Sequence, residues 1–183
     1  MLKEYAASDM YPFHMPGHKR QPMDLGEGER LDITEIHGFD NLHYAQGILR
    51  EAQERTARMA RADASFYLVN GSTSGILAAV SAQTKRGGRI LAARNCHKAV
   101  YHSIFLQELK ARYLYPMSTE FGIQGSISPE EVEKKLEEYP DAETVLITSP
   151  TYDGVVSDIR AISRAVHARD KVLIVDGAHG AHF

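Results

Sequence analysis

Short runs of β-forming residues recur along the chain with helical stretches between them, and this rhythm constrains the fold more than any other feature. The runs are "FYLV" (66–69), "RILAA" (89–93), "ARYLY" (111–115), "TVLIT" (144–148) and "KVLIV" (171–175). Their apolar residues are continuous instead of alternating, so a sheet built from them needs apolar cover on both faces. Strands that alternate with helices meet that need by β-α-β winding, which predicts an α/β fold with a mostly parallel sheet.

The helical stretches carry their own signals. "STSGILAAVSAQT" places Ile76, Leu77 and Val80 on one face. "SPEEVEKKLEEY" opens with Ser128 as N-cap and Pro129 at the first helical position, and Glu131 is spaced to close a capping box. "SDIRAISRAVHAR" repeats Ile159, Ile162 and Val166 at i, i+3 and i+7. An earlier helix is predicted from about Gly47 to Ala62, with an apolar stripe of Ile48, Leu49, Ala52, Thr56, Met59 and Ala60. Glu51/Arg55 and Glu54/Arg58 are its i,i+4 pairs. Residues 1–45, with their X-Pro steps and glycines, read as an irregular N-terminal segment, leaving 46–183 as the sheet-bearing domain.

Bulk numbers exclude several function classes. At 183 residues and 43% apolar content, the chain suits one domain with a real core. Lys and Arg number 21 against 24 Asp and Glu, for a net charge of -3, which leaves no basic footprint for nucleic acid. The single cysteine, Cys96, excludes an internal disulfide and fits a reducing compartment. The N-terminus has no apolar core of signal-peptide length, and no apolar run approaches a membrane span. The expectation is a soluble, cytoplasmic chain.

In parallel sheets ligands bind at the carboxyl ends of the strands, so the residues after each run matter most. They are "NGSTSG" (70–75), "RNCHK" (94–98), "SPTYDG" (149–154) and "DGAHG" (176–180). Ser72, Thr73 and Ser74 follow a break at Asn70-Gly71 and open a helix, an arrangement suited to a phosphate or to ordinary capping. Neither a nucleoside-triphosphate loop nor a dinucleotide fingerprint is present.

Asp176 ends a strand, where it serves either as a structural cap of the following turn or as counter-ion to a cationic ligand. Magnesium lacks a second carboxylate nearby. His179 and His182, like His14 and His18, are spaced for shared ligation, but no Cys or Glu completes a zinc set and no metal site is expected. His97 follows a strand and is placed to stack on a flat ring or to donate a proton, whereas Cys96 reads as packing. A ligand with a phosphate, a cationic ring atom and a planar face satisfies these groups together. Pyridoxal phosphate has all three.

These stretches, with "PFHMPGHK" (12–19), "LDITEIHGFDNLH" (31–43), "RNCHKAVYHS" (94–103), "SPTYDGVVSDI" (149–159) and "VDGAHGAHF" (175–183), resemble the major domain of the Orn/Lys/Arg decarboxylase family. The resemblance covers essentially the whole chain and implies the large domain of the fold-type I pyridoxal phosphate enzymes. It implies that Gly71, Ser72, Thr73 and Ser74 hold the cofactor phosphate, and that His97 stacks on the ring. It further implies that Asp176 pairs with the ring nitrogen, while Ala178 and His179 line the ring's other side and edge. The "HMPGHK" segment, Asp32 and Glu35 belong near the site or at a subunit contact. Gly177 is a departure, since the family usually has Glu there.

The implied activity is decarboxylation of a basic amino acid (lysine, arginine or ornithine) to the amine, in a dimer or larger assembly. The family's imine-forming lysine is expected after the Asp176 strand, yet every lysine from Lys3 to Lys171 precedes it. The sheet is therefore expected to be incomplete at its C-terminal side, with "FYLV" lacking a partner and a second edge open beside "VLIV". The expectation is a chain inactive alone, and unstable without a partner or further residues. Two other readings compete: another fold-type I enzyme such as an aminotransferase or lyase, and a non-catalytic remnant or assembly partner of an intact homologue.

Overall fold

The computed structural model describes residues 1–15, 17–19, 21 and 28–181. Its elements in chain order are α1 (Leu2–Ala7), α2 (Gly28–Leu31), a 3-10 turn (Leu42–Tyr44), α3 (Ile48–Ala60), α4 (Gly71–Gln83), β1 (Arg89–Ala93), α5 (Lys98–Leu106), β2 (Lys110–Leu114), α6 (Pro129–Glu138), β3 (Ala142–Thr148), α7 (Ile159–His167) and β4 (Val172–Asp176). The chain divides into two compact units, Met1–Tyr67 and Leu68–Phe183, so α3 is grouped with the N-terminal segment.

The second unit is a three-layer α/β/α sandwich. Its sheet is wholly parallel, in the order β2-β1-β3-β4. Successive residues of a strand point to opposite faces, and here both faces are apolar. Ile90, Ala92, Leu146 and the half-buried Ile174 face α4 and α5, where Ile76, Val80, Ala99 and Val100 meet them. Leu91, Ala93, Val145, Ile147 and Leu173 face the opposite layer, against Val132 and Leu136 of α6 and Ile162 and Val166 of α7. This double cover is why β1 and β3 carry no polar alternation. The outer strands β2 and β4 are less covered, and Val172 and Val175 of β4 are exposed.

Local chemistry sets the helix starts. The Ser128 hydroxyl accepts the Glu131 amide at 3.2 Å, with Pro129 in the first turn. The reciprocal arm of the expected capping box differs, because the Glu131 carboxylate accepts the amide of Tyr115 at 3.5 Å, just past β2. Asp158 caps α7 by accepting the Ala161 amide at 2.9 Å. On β3, Thr144 is buried and donates to the Gln83 carbonyl while accepting from Thr84, which ties the end of α4 to the sheet.

Two expectations need correction. "FYLV" forms no strand among the described residues, and Phe66, Tyr67, Leu68 and Val69 are all exposed. Its β-forming residues have no neighbouring strand to pair with, and strand propensity without a partner is weak. In α3 the covered stripe runs through Leu49, Ala52, Thr56 and Ala57, while Ile48 and Met59 face solvent. Glu54 reaches back to Arg50 at 2.9 Å instead of forward to Arg58, a choice between two exposed pairs of similar small worth.

In the N-terminal unit the start of α3 hangs on Asp40. Its carboxylate accepts the amides of Asn41, Gln46, Gly47 and Leu49 at 2.8–2.9 Å. Asp40 itself adopts φ 69, a left-handed conformation that Asp tolerates through such local bonds. The Gln46 amide foremost, with those of Asn41, Gly47 and Leu49, holds the carboxyl well below the usual carboxylate range against the opposing effect of burial. A depressed folded-state pKa contributes stability that is present above the unfolded value, about 3.9, and is lost as pH falls through the folded one. Asp40→Ala is expected to raise amide exchange at Gln46, Gly47 and Leu49 by roughly tenfold or more at neutral pH. In the unsubstituted protein the same amides should lose protection only under strongly acidic conditions. Unchanged exchange in the variant would show that the loop holds itself without this carboxylate.

Candidate functional site

The polar strand ends gather on one side of the sheet. Leu146 and Ile174 face the α4/α5 layer, so Thr148 and Asp176, two residues further along β3 and β4, face it too. They are register partners across the ladder. Because α5 follows β1 directly and α4 leads into it, both helices begin at this end. Gly71, Ser72 and Thr73 at the start of α4, and His97 at the start of α5, therefore stand at the same strand ends as Asp176. The topology brings together every strand-end residue singled out from the sequence, except those beyond the described residues. His182 and Phe183 are among those; Pro16 of "MPGHK", in the N-terminal unit, also lies outside the described residues.

Asp176 is 8% exposed, and its Oδ1 accepts the Ala178 amide at 3.1 Å. It is thus a turn cap with one oxygen, and among the described residues the second oxygen takes no hydrogen bond. Gly177 is not imposed by space, since a Cβ there would lie 3.8 Å from the nearest atom, the Ser149 carbonyl oxygen. No positive φ requires the glycine either.

The α4 entry is unusual. Asn70 and Gly71 are successive left-handed residues with φ 64 and φ 65, and Asn70 makes no side-chain cap bond. Such a turn aims the unpaired amides of the first helical turn outward, toward an anion. Ser72 is exposed and Thr73 half-buried there. Ser74 is otherwise engaged, donating its hydroxyl to the carbonyls of Val69 and Gly71.

His97 caps α5, its Nδ1 accepting the Ala99 amide at 3.2 Å. That bond assigns the ring proton to Nε2, and the residue is exposed. Beside it Cys96 is half-buried against the α4/α5 core, and burial pushes its thiol above the ordinary range, as suits packing. Arg94 bonds Tyr101 at 2.6 Å and lies over the rings of Tyr101 and Tyr113 at 5.6 and 5.4 Å.

Sequence reasoning missed three side chains here. Tyr152, in the loop after β3, meets the His179 ring edge-on, with centroids 5.5 Å apart and planes at 88°. That loop is stapled by the Ser149 amide to the Asp176 carbonyl at 3.0 Å, and by the Ser157 amide to the Ser149 hydroxyl at 3.1 Å. Asn95 Oδ1 and Thr148 Oγ1 are buried without a hydrogen-bond partner among the described residues. Only the strand order, which sets β3 beside β4 and β1, makes the three visible.

In the N-terminal unit, His18 and Asp32 are 3.6 Å apart, Thr34 donates to the Met15 carbonyl at 3.2 Å, and Tyr5 bonds His14 at 2.6 Å. The "HMPGHK" and "DITEI" segments are thus bonded to each other, and Glu35 is exposed. No helix among the described residues is long and apolar enough to cross a membrane.

A buried carboxylate, two orphaned polar atoms and an open helix start fit a flat heterocycle carrying a phosphate. Comparison with known proteins shows the family. The family model for the Orn/Lys/Arg decarboxylase major domain matches residues 1–183. An arginine decarboxylase of Bacillus subtilis is 34% identical over 190 residues, covering 99% of this chain and 39% of its own length. A lysine decarboxylase of Pseudomonas aeruginosa is 28% identical over 207 residues, covering 99% of this chain and 28% of its own length. The crystal structure of the Francisella novicida lysine decarboxylase superposes with a TM-score of 0.81 at 25% identity, over 98% of this chain and 28% of that one. The chain spans about two-fifths of the length of the Bacillus relative. Its parallel sheet is part of the large domain of the fold-type I enzymes. On sequence and fold together, the chain belongs to the Orn/Lys/Arg decarboxylase family.

Proposed function

We propose that this chain forms the cofactor-anchoring part of a pyridoxal phosphate-dependent decarboxylase that converts lysine, arginine or ornithine to the corresponding amine. The observation that carries this is Asp176: a nearly buried carboxylate at the end of β4, one oxygen committed to Ala178 and the other to no partner among the described residues. Such a charge is costly unless a cation meets it.

When bound, pyridoxal phosphate supplies a protonated ring that takes up the electron pair freed as carbon dioxide leaves the substrate. Asp176 keeps the proton on the ring nitrogen through a charge-assisted hydrogen bond. His97 would stack on the ring, and Ala178 and His179 would line its other side and edge. Gly71, Ser72 and Thr73 take the phosphate with amides and hydroxyls of the first turn of α4. Ser74 joins them by turning its hydroxyl away from Val69 and Gly71. None of the chain's lysines is assigned as the covalent amine, so the 183-residue chain alone is expected to be inactive. The working enzyme is a homodimer or larger assembly acting in the cytoplasm on a small basic amino acid.

The test uses the protein as its gene encodes it, supplied with pyridoxal phosphate and each of the three amino acids. Release of carbon dioxide with the matching amine is expected. A keto-acid product would replace this reading with an aminotransferase, and failure to take up the cofactor would overturn it.

A further inference from the structure

Thr148 holds a hydroxyl in a place where the protein gains nothing from it. The residue is 5% exposed, and its Oγ1 is buried with no hydrogen-bond partner among the described residues. A valine would fill the same space without a polar atom to desolvate, so the hydroxyl is a net cost to the folded chain. Its neighbours on β3 show what the strand does where a polar atom serves only the fold: Thr144, equally buried, both donates and accepts within the protein. Thr148 differs in position. It is the last residue of β3, the register partner of Asp176, and it faces the α4/α5 layer where the α4 start and His97 lie.

We propose that Thr148 is a further cofactor-binding residue, its hydroxyl reserved for a polar edge of the ring that Asp176 holds. The inference rests on the cofactor reading above and adds a second polar contact from the adjacent strand. A carboxylate on β4 and a hydroxyl on β3 would grip the ring from two neighbouring strands.

The proposal makes opposite demands on the empty and the loaded protein. In the cofactor-free protein as its gene encodes it, Thr148→Val is expected to lower the unfolding equilibrium constant by roughly 5- to 100-fold, because an unpaired buried hydroxyl is removed. The same variant is expected to bind pyridoxal phosphate about 3- to 10-fold more weakly, and Thr148→Ser should restore the affinity. Urea unfolding of the empty protein and a cofactor titration read the two effects separately. If Thr148→Val destabilises the empty protein, the hydroxyl is bonded within the fold and the proposal fails. If it stabilises the empty protein but leaves cofactor affinity unchanged, the hydroxyl is not reserved for the ring and the proposal again fails. If the unsubstituted protein binds no pyridoxal phosphate, the cofactor reading itself is overturned.

Discussion

Replacing Asp176 by Asn is expected to weaken pyridoxal phosphate binding by roughly 10- to 100-fold, the worth of one charge-assisted hydrogen bond to a cationic ring nitrogen. The choice of Asn separates two duties that the carboxylate performs. Its Oδ1 accepts the Ala178 amide and shapes the turn after β4, and an amide oxygen can keep that bond. What Asn cannot supply is charge. In the cofactor-free protein the substitution should be neutral or stabilising, since a nearly buried carboxylate loses its desolvation cost. Asp176→Ala removes both duties and should add about 1 kcal/mol of destabilisation for the lost turn bond. Cofactor titration of both variants, beside urea unfolding of their empty forms, reads the two contributions. An Asn variant that binds as tightly as the original would mean that Asp176 is a turn cap only, and the electrostatic reading of the site would fall with it.

How much of this was visible in the sequence follows from the range of the forces involved. β1 spans the residues read from the sequence, and β2, β3 and β4 differ by one or two at their ends, because continuous apolar runs have one use in a parallel sheet. Ser128 capping α6 was equally visible, since its partner amide lies three residues away. "FYLV" has strand propensity and, lacking the sheet partner, forms no strand among the described residues, because strand formation depends on a neighbour. Asp40 escaped notice because its carboxylate reaches amides six to nine residues ahead, across a loop whose closure the sequence does not spell out. At the site, His97 and Asp176 were identified by following strands to their ends. Thr148 and Tyr152 were not, because their meaning comes from sitting beside Asp176 and His179 once β3 and β4 are adjacent.

The largest stability effects should fall on β3, whose neighbouring residues serve opposite cores. Leu146 is fully buried against Ile76, Val80 and Val100 of the α4/α5 layer, and Ile147 is fully buried against Val132, Leu136, Ile162 and Val166 on the other side. Truncating either to Ala is expected to cost about 2–5 kcal/mol, combining lost burial with a cavity that a close-packed layer cannot collapse. The two costs concern different layers and should nearly add. Their sum, about 4–10 kcal/mol, is comparable to the whole stability of an ordinary domain, so the double variant should fail to fold where each single variant survives. On β4 the gradient should be visible. Ile174 packs against the same layer as Leu146 but is only half-buried, and Ile174→Ala should cost roughly half as much. Urea midpoints at constant denaturant slope measure the three single variants on one scale, and far-UV circular dichroism without denaturant reads the double variant. Equal costs at Leu146 and Ile174 would carry their own message. They would show that β4 is covered in solution by residues outside its present neighbours, from the same gene product or from a second chain.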